Sequence, residues 1–276
     1  MMVLKDKVAI VSGSGRGIGQ AISLRLAREG ARLVVNDLDA DTGEATAEQI
    51  RALGGEAIAC NGDGPQPDFG ERFGAAALDG FGGLDIIVNN AGYIWDSVVQ
   101  KTTDEQFQAM LDVHLVAPFR ILRAAAEPIR MFAKEEAKDG RRVHRKVVNI
   151  SSVAGIGGNA GQISYSSAKA GIVGMTKTMQ KEWGRYNVNV NTVAFGLIQT
   201  RLTQPLGGEA SRINIGDKEI NVGVRQEFLQ AMEQQLIPLG RAGTPEEAAN
   251  GVFLFCSPDS DYIGGQVIVV GGGMSF

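Results

Sequence analysis

Tyr165 and Lys169 stand four residues apart in Tyr165-Ser166-Ser167-Ala168-Lys169. On a helix that spacing stacks two side chains one turn apart on the same face, so a phenol and an ammonium are held side by side. A free tyrosine titrates near pH ~10 and is a poor base at neutrality, but a neighbouring cation favours its phenolate. Such a pair can give or take a proton at an alcohol or carbonyl oxygen. Ser152 lies thirteen residues before the tyrosine, just past the apolar run Val147-Val148-Asn149-Ile150, which reads as a strand. A hydroxyl at a strand end can hydrogen-bond the same oxygen. Alone, the Tyr–Lys spacing describes a surface pair on an ordinary helix. Its chemistry depends on whether the chain also supplies a hydride carrier.

The elements that would position these residues alternate along the chain. Apolar runs at 8–11, 33–35, 57–60, 86–88, 147–150, 188–193 and 267–270 read as strands. Between them lie helical stretches from the glycine turn at 12–19 through residue 29, at 39–53, 69–78, 103–131, around Tyr165 and at 245–255, the long one despite Pro118. Continuous apolar strands separated by helices imply a parallel sheet covered on both faces. Right-handed crossovers then give an α/β, Rossmann-type doubly wound sheet of about seven strands, with its ligand crevice beyond the strands' carboxyl ends. Residues 13–19, Asp37, Asp63, Asn90, Ser152 and Gly196 all follow strands at that rim. There is no internal repeat and no dividing linker, so residues 1–276 read as one domain.

The turn after the first strand is glycine-rich, with Gly13, Gly17 and Gly19 in a G-x-x-x-G-x-G spacing and Gly15 as an extra. Glycines let backbone approach a pyrophosphate, and a helix N-terminus presents unpaired N–H groups there. Asp37, ending the second strand, can accept hydrogen bonds from the ribose hydroxyls and would repel a 2′-phosphate, favouring NAD over NADP. Two readings compete with this one. Arg16 within the turn could reach a 2′-phosphate, and Asp37 could serve only as a helix N-cap, a task for which Asp39 is also placed.

Composition excludes several classes. The net charge of −4 gives no basic field for nucleic acid or an anionic membrane. The two cysteines, Cys60 and Cys256, fit no metal or redox spacing and read as buried thiols in a reducing compartment. No apolar run approaches the ~20 residues of a membrane span. The N-terminus passes straight into Lys5-Asp6-Lys7 and a strand, leaving no room for a signal peptide. The expectation is a cytoplasmic protein with a small-molecule substrate, no nucleic acid, no membrane and no metal.

The motifs Ser12-Gly13-x-x-x-Gly17-x-Gly19, Asn89-Asn90-Ala91-Gly92, Ser152 with Tyr165-x-x-x-Lys169, and Asn189-x-Asn191-Thr192-Val193-Ala194-Phe195-Gly196 together resemble the short-chain dehydrogenase/reductases. Within that family the chain is similar over nearly its whole length to 3-oxoacyl-acyl carrier protein reductases. The resemblance implies an NAD(P)-dependent oxidoreductase interconverting a carbonyl and a secondary alcohol, with a 3-oxoacyl thioester as the foremost substrate and a carrier-bound thioester as one form of it. Another secondary alcohol (sugar, steroid or xenobiotic) remains open, as does a cofactor-binding member without catalysis. On matching positions, Tyr165 would be the acid/base and Ser152 would hold the substrate oxygen. Lys169 would bind the nicotinamide ribose and lower the tyrosine's pKa. Gly13, Arg16, Gly17, Ile18 and Gly19 would cradle the diphosphate, and Asp37, Asp63, Gly64, Asn90, Ala91 and Gly92 would line the adenosine half. Ile198 and Thr200 would meet the nicotinamide amide. Residues around 201–237 would form a substrate lid, with an amphipathic helix carrying Val224, Phe228, Met232 and Leu236. The family also implies a homotetramer.

The chain departs from the pattern at two positions. His114 stands where the family usually carries an asparagine that holds a water in a proton relay, and the surrounding Asp-Val-His-Leu resembles the hydroxyacyl-CoA dehydrogenase branch. His114 is therefore a candidate relay residue or a packed helix histidine. Phe195 replaces the usual proline, which would leave the turn looser and could narrow the substrate side. A charged segment at 131–146 ends in Arg141-Arg142-Val143-His144-Arg145-Lys146, a cluster that could dock an acidic carrier protein.

Overall fold

The computed structural model of the chain describes residues 2–204, 212–215 and 218–274. Elements follow in order as β1 (Val8–Val11), α1 (Gly17–Arg28), β2 (Arg32–Val35), α2 (Ala40–Ala52), β3 (Ala57–Ala59), α3 (Phe69–Phe81), β4 (Ile86–Asn89), α4 (Asp104–Leu111) and α5 (Ala117–Lys138). The second half adds β5 (Arg145–Ser152), α6 (Ala154–Gly157), α7 (Ile163–Trp183), β6 (Val188–Phe195), β7 (Arg212–Ile215), β8 (Lys218–Asn221), α8 (Gln226–Ala231), α9 (Pro245–Cys256) and β9 (Val267–Val270).

Seven strands form one sheet in the order β3-β2-β1-β4-β5-β6-β9, every pairing parallel. Apolar residues alternate between its faces, and each face is covered. Ala9, Val11, Leu33, Val35 and Val148 pack under α1, α2 and α9 through Ile22, Leu26, Ile50, Val252 and Phe255. Val8, Ile10, Val34, Ile87 and Val147 pack under α3, α5 and α7 through Phe69, Phe73, Ile121, Leu122 and Trp183. That two-sided burial is why the strands lack a polar alternation. The chain runs outward in opposite directions from β1 and β4, so the crevice opens between them at the carboxyl ends.

The expected 103–131 helix is longer and interrupted. It starts at Thr103, whose side chain caps α4 through a capping box with Gln106. It then widens into a π turn over Asp112–Val116 and continues as α5 to Lys138. Pro118 occupies the first turn of α5 and has no N–H to return to the preceding turn. The wide turn takes up that mismatch, closing instead through the Ala117 N–H to Asp112 O. Such bulges recur at functional sites, and this one carries His114.

The charged segment does not form one surface. β5 begins at Arg145, and both Arg145 and Lys146 are buried. Arg145 is held by Glu136 at 2.9 and 2.6 Å and Lys146 by Asp261 at 2.7 Å. They sit at the amino end of β5, opposite the catalytic rim. Two of the cations proposed for carrier docking are thus spent inside the fold, because strand and ion pair satisfy them there.

Within the region expected to be a lid, residues 205–211, 216 and 217 lie outside the described residues. An antiparallel hairpin, β7–β8, occupies part of it, a feature not read from the sequence. Ile220 and Val222 pack on Tyr93, Trp95 and Leu202. The amphipathic helix is shorter than expected and turned differently: Phe228 and Leu236 are exposed, while Leu229 and Met232 face Leu197, Ile237 and Ala242.

Candidate active site

The glycine turn is built by its own chain before any ligand is considered. Gly17 has φ +58° with only Thr200 Cγ2 near, at 4.0 Å from the place of a Cβ, so the space above it is open. Gly19 has a different task. A Cβ there would lie 2.5 Å from Asn90 Nδ2 and closer still to the Gly13 carbonyl oxygen, so this glycine lets α1 fold back on its turn. Ser12 and Asn36, not singled out from the sequence, hold the turn in place. The Ser12 hydroxyl accepts from the N–H groups of Asn90 and Ala91 at 3.0 and 3.1 Å. The Asn36 carboxamide accepts from Gly13 N–H at 3.1 Å and donates to the carbonyls of Cys60 and Gly62.

Several cradle residues take roles other than those expected. Asn90 was expected to line the adenosine half, but its amide donates to the Ser12 and Gly13 carbonyls at 3.0 and 2.9 Å. Both its donors bind the turn to β4, so Asn90 shapes the site. The Ile198 side chain is buried in the core beside α9, leaving only its backbone for the nicotinamide end. Phe195 is likewise buried in that core and does not narrow the substrate side. It packs with Ile150, Val193 and Phe255 on the face covered by α1 and α9.

The cradle fits a dinucleotide. α2, α4 and α9 have their first N–H groups capped by Asp39, Thr103 and Thr244, whereas α1 has no side-chain cap at Arg16. Uncapped N–H groups at an open glycine turn suit an anion. Because Asp39 caps α2, the Asp37 carboxylate is not the cap; it accepts from the Gly15 and Asp39 N–H groups, at 3.1 Å each. Arg16 is drawn sideways to Asp39 and Thr42, at 2.9 and 3.2 Å. Asp63 and Gly64 lie past β3 near the start of α5, where a Gly64 Cβ would be 3.6 Å from Ala117. Burial and the Asp112 charge raise the Asp63 carboxyl above the usual range.

At the other half of the crevice, Ser152 ends β5 and Tyr165 and Lys169 lie on α7. A buried polar chain ties that helix to the sheet. Asn89 donates to Asn149 at 2.7 Å, Asn149 donates to Thr176 of α7 at 2.8 Å, and Thr176 meets Thr192 at 2.7 Å. Ser151 adds a bond to the Lys169 carbonyl at 2.8 Å. The tyrosine and lysine are therefore positioned by three neighbouring strands.

Burial pushes the Tyr165 phenol up to about 12, against a hydrogen bond from Ser152 that lowers it and the charge of Asp96 that raises it further. Lys169 lies one helical turn from Tyr165 with its ammonium turned to the sheet. Its ammonium donates to the Ile150 carbonyl at 2.8 Å and lies 5.7 Å from the phenol ring centre, while burial lowers its own pKa to about 7. The tyrosine is thus a protonated group at neutral pH, set to donate.

His114 touches this pair. Its ring meets Tyr165 edge-on, with centroids 5.0 Å apart and an angle of 88°. Nε2 is 2.7 Å from the Tyr93 carbonyl, which only accepts, so Nε2 carries the hydrogen. Nδ1 is buried without a partner. Burial, the Lys169 charge and a partly compensating Tyr93 bond hold the imidazole well below its ordinary pKa, so it is neutral. Gly92 was expected to line the cofactor site. It is also what admits the histidine, because a Cβ there would lie 2.6 Å from Nδ1.

A nucleotide cradle and a Ser–Tyr–Lys group thus share one rim. The model of the family described as short chain dehydrogenase matches residues 7–210. The chain belongs to the short-chain dehydrogenase family. As a short-chain dehydrogenase it is an oxidoreductase acting on CH–OH groups with a nicotinamide cofactor. It is 38% identical to a 3-oxoacyl-[acyl-carrier-protein] reductase of Synechocystis, over 99% of each chain. It is 34% identical to the 3-oxoacyl-[acyl-carrier-protein] reductase FabG of Vibrio cholerae, again over 99% of each chain. It is also 34% identical to the (2S)-[(R)-hydroxy(phenyl)methyl]succinyl-CoA dehydrogenase subunit BbsD of Thauera aromatica, over 99% of this chain and 98% of that one. Among the described residues no helix is long and apolar enough to cross a membrane.

Proposed function

We propose that this short-chain dehydrogenase reduces 3-oxoacyl thioesters to 3-hydroxyacyl thioesters, with Tyr165 as the proton donor. The observation that carries the reading is the placing of Ser152 at the end of β5 and of Tyr165 and Lys169 one turn apart on α7, at the same rim as the uncapped turn of α1. The relatives named as reductases of carrier-bound 3-oxoacyl groups support the substrate class. Tyr165 and Ser152 hold the substrate carbonyl oxygen. The bound nicotinamide supplies a hydride to the carbonyl carbon. Tyr165 gives its proton to the oxygen as charge develops there, and donors fixed beforehand lower that barrier without reorganising. Lys169 holds the nicotinamide ribose and returns a proton toward Tyr165. Oxidation of the alcohol runs the same steps backwards.

We assign NAD in preference to NADP because Asp37 keeps its carboxylate at the end of β2 while Arg16 is tied to Asp39. Fluorescence titration with NADH and NADPH tests this, and tighter NADPH binding would reverse the assignment. Exposed apolar residues on α5 (Phe119, Met131) and near β9 (Tyr262, Ile263, Val269) support a homotetramer. For the activity itself, absorbance at 340 nm is followed with acetoacetyl-CoA and a panel of secondary alcohols, in both directions and with both cofactors. Silence across the panel with cofactor bound would sink the catalytic reading, and activity confined to other alcohols would replace the substrate.

A further inference from the structure

The loop after β4 reaches the catalytic tyrosine through its backbone. Residues 91–96 form neither helix nor strand. The loop is anchored at its start, where Ala91 N–H donates to the Ser12 hydroxyl at 3.1 Å, and at its end, where Ser97 N–H donates to the Gly161 carbonyl at 2.9 Å. Between these anchors the Tyr93 carbonyl takes the Nε2 hydrogen of His114 at 2.7 Å, and the imidazole stands edge-on to the Tyr165 ring. What fixes Tyr93 comes from the hairpin. Its side chain and that of Trp95 pack on Ile220 and Val222, both of them buried. Ile220 lies on β8 and pairs with Ile213 of β7. The chain leaving β8 is tied back where Val224 N–H donates to the Gln204 carbonyl at 2.9 Å.

We propose that Ile220 and Val222 of the hairpin are positioning residues for Tyr165. Seated on Tyr93 and Trp95, they hold the Tyr93 carbonyl on His114, and the imidazole holds the phenol ring. This inference rests on the reading of Tyr165 as the proton donor. Two features make the path depend on that packing. Gly92, directly before Tyr93, brings no side chain and a freer backbone, so an irregular loop here keeps its place through what packs on it. His114 has no second polar tie, since its Nδ1 is buried without a partner. A hydrogen bond weakens steeply as its distance and angle depart from the ideal, so a Tyr93 displaced by roughly 1 Å releases the ring. Misplacing a reacting group by about 1 Å costs up to ~10²-fold in rate, and a ring that is loosened rather than removed belongs at the lower end of that range.

The test loosens the seat and reads the imidazole and the turnover separately, in protein saturated with NADH. Ile220→Ala combined with Val222→Ala removes the side chains that press on Tyr93, and Val222→Ala alone serves if the pair fails to fold. The chain has two histidines, and His144→Gln identifies the signal of His114 in proton–nitrogen correlation spectra of histidine-labelled protein. The Nε2 hydrogen of His114 is expected to exchange at least about tenfold faster in the variant than in the parent protein. The kcat for acetoacetyl-CoA is expected to fall about tenfold, with KM for NADH and for the thioester within about twofold. In a His114→Ala background the path is already cut, so the same hairpin change should lower kcat by less than about twofold. An unmoved His114 signal overturns the inference, as does faster exchange with kcat unchanged. A loss carried by KM for the thioester, or repeated in full in the His114→Ala background, also overturns it, because the hairpin then acts on the substrate directly. If the parent protein binds cofactor but turns over no thioester, the reading of the site fails instead, and the His114 signal still judges the seat.

Discussion

Alanine at Gly92 would test how His114 is held. A Cβ at that position would sit 2.6 Å from Nδ1, where unbonded heavy atoms need about 3.5 Å. Gly92 is not among the residues with positive φ, so the backbone accepts alanine and the cost is steric. His114 has little room to retreat: it is 3% exposed, it abuts Tyr165, and its Nε2 is bonded to the Tyr93 carbonyl. A shift of roughly 1 Å relieves the overlap but stretches that bond beyond use. Overpacking costs about 1–3 kcal/mol, and leaving the buried pair unmatched costs about 1–3 more. Gly92→Ala should therefore destabilise the protein by about 2–5 kcal/mol. In a His114→Ala background the space vacated by the ring accepts the methyl group, so the double variant should lie about 2 kcal/mol above the sum of the single effects. Denaturant unfolding of the four proteins at one protein concentration measures this cycle, with cofactor titration to confirm an intact cradle. Effects that add to within about 0.5 kcal/mol would refute the claim that the imidazole dictates glycine here.

Three further outcomes follow from the same geometry. Tyr165→Phe removes the donated proton while preserving the ring contact with His114, so turnover should fall by at least about 10³-fold while the cofactor Kd stays within twofold; retained turnover would remove Tyr165 from its role. Glu136→Ala leaves the Arg145 guanidinium buried with only the Leu84 carbonyl as acceptor, and should cost about 3–5 kcal/mol in unfolding free energy; a loss below about 1 kcal/mol would show that the pair is not needed. Lys169 is held to about 7 in the folded chain against 10.5 as its ordinary value, so above pH 7 the unfolded chain binds a proton that the folded chain has released. The stability of the cofactor-free protein should therefore rise by about 2 kcal/mol between pH 7 and 8.5, and Lys169→Met should flatten that rise; an equal rise in the variant would place its source elsewhere.

The sheet was legible because its signal is local: each strand is a short apolar run, and each catalytic-rim residue follows one. The Ser152, Tyr165 and Lys169 group was legible for the same reason, since helical spacing and a strand end are read within a few residues. The roles of Ser12 and Asn36 were not, because the partners described above lie 23 to 79 residues away and a polar side chain at a strand end looks like any other. The packing of Phe195 was not legible, because the face a strand-end residue takes depends on register with a neighbour, here β5. The β7–β8 hairpin does carry an alternating run, Arg212-Ile213-Asn214-Ile215, but it is only four residues long and sits among the small polar residues that read as a lid.

His114 shows where those two kinds of information meet. An asparagine carboxamide carries a donor and an acceptor that can turn together toward one water. The imidazole has one hydrogen, and the Tyr93 carbonyl takes it, since a carbonyl can only accept. Nδ1 is left as a buried lone pair without a partner, near a lysine whose ammonium is bonded to Ile150. A histidine so placed can receive a hydrogen bond from a water but cannot pass the proton on without giving up Tyr93. Its low proton affinity also keeps it from storing a proton near neutral pH. What the structure shows His114 doing is bracing the Tyr165 ring edge-on, with Nδ1 buried beside Gly92.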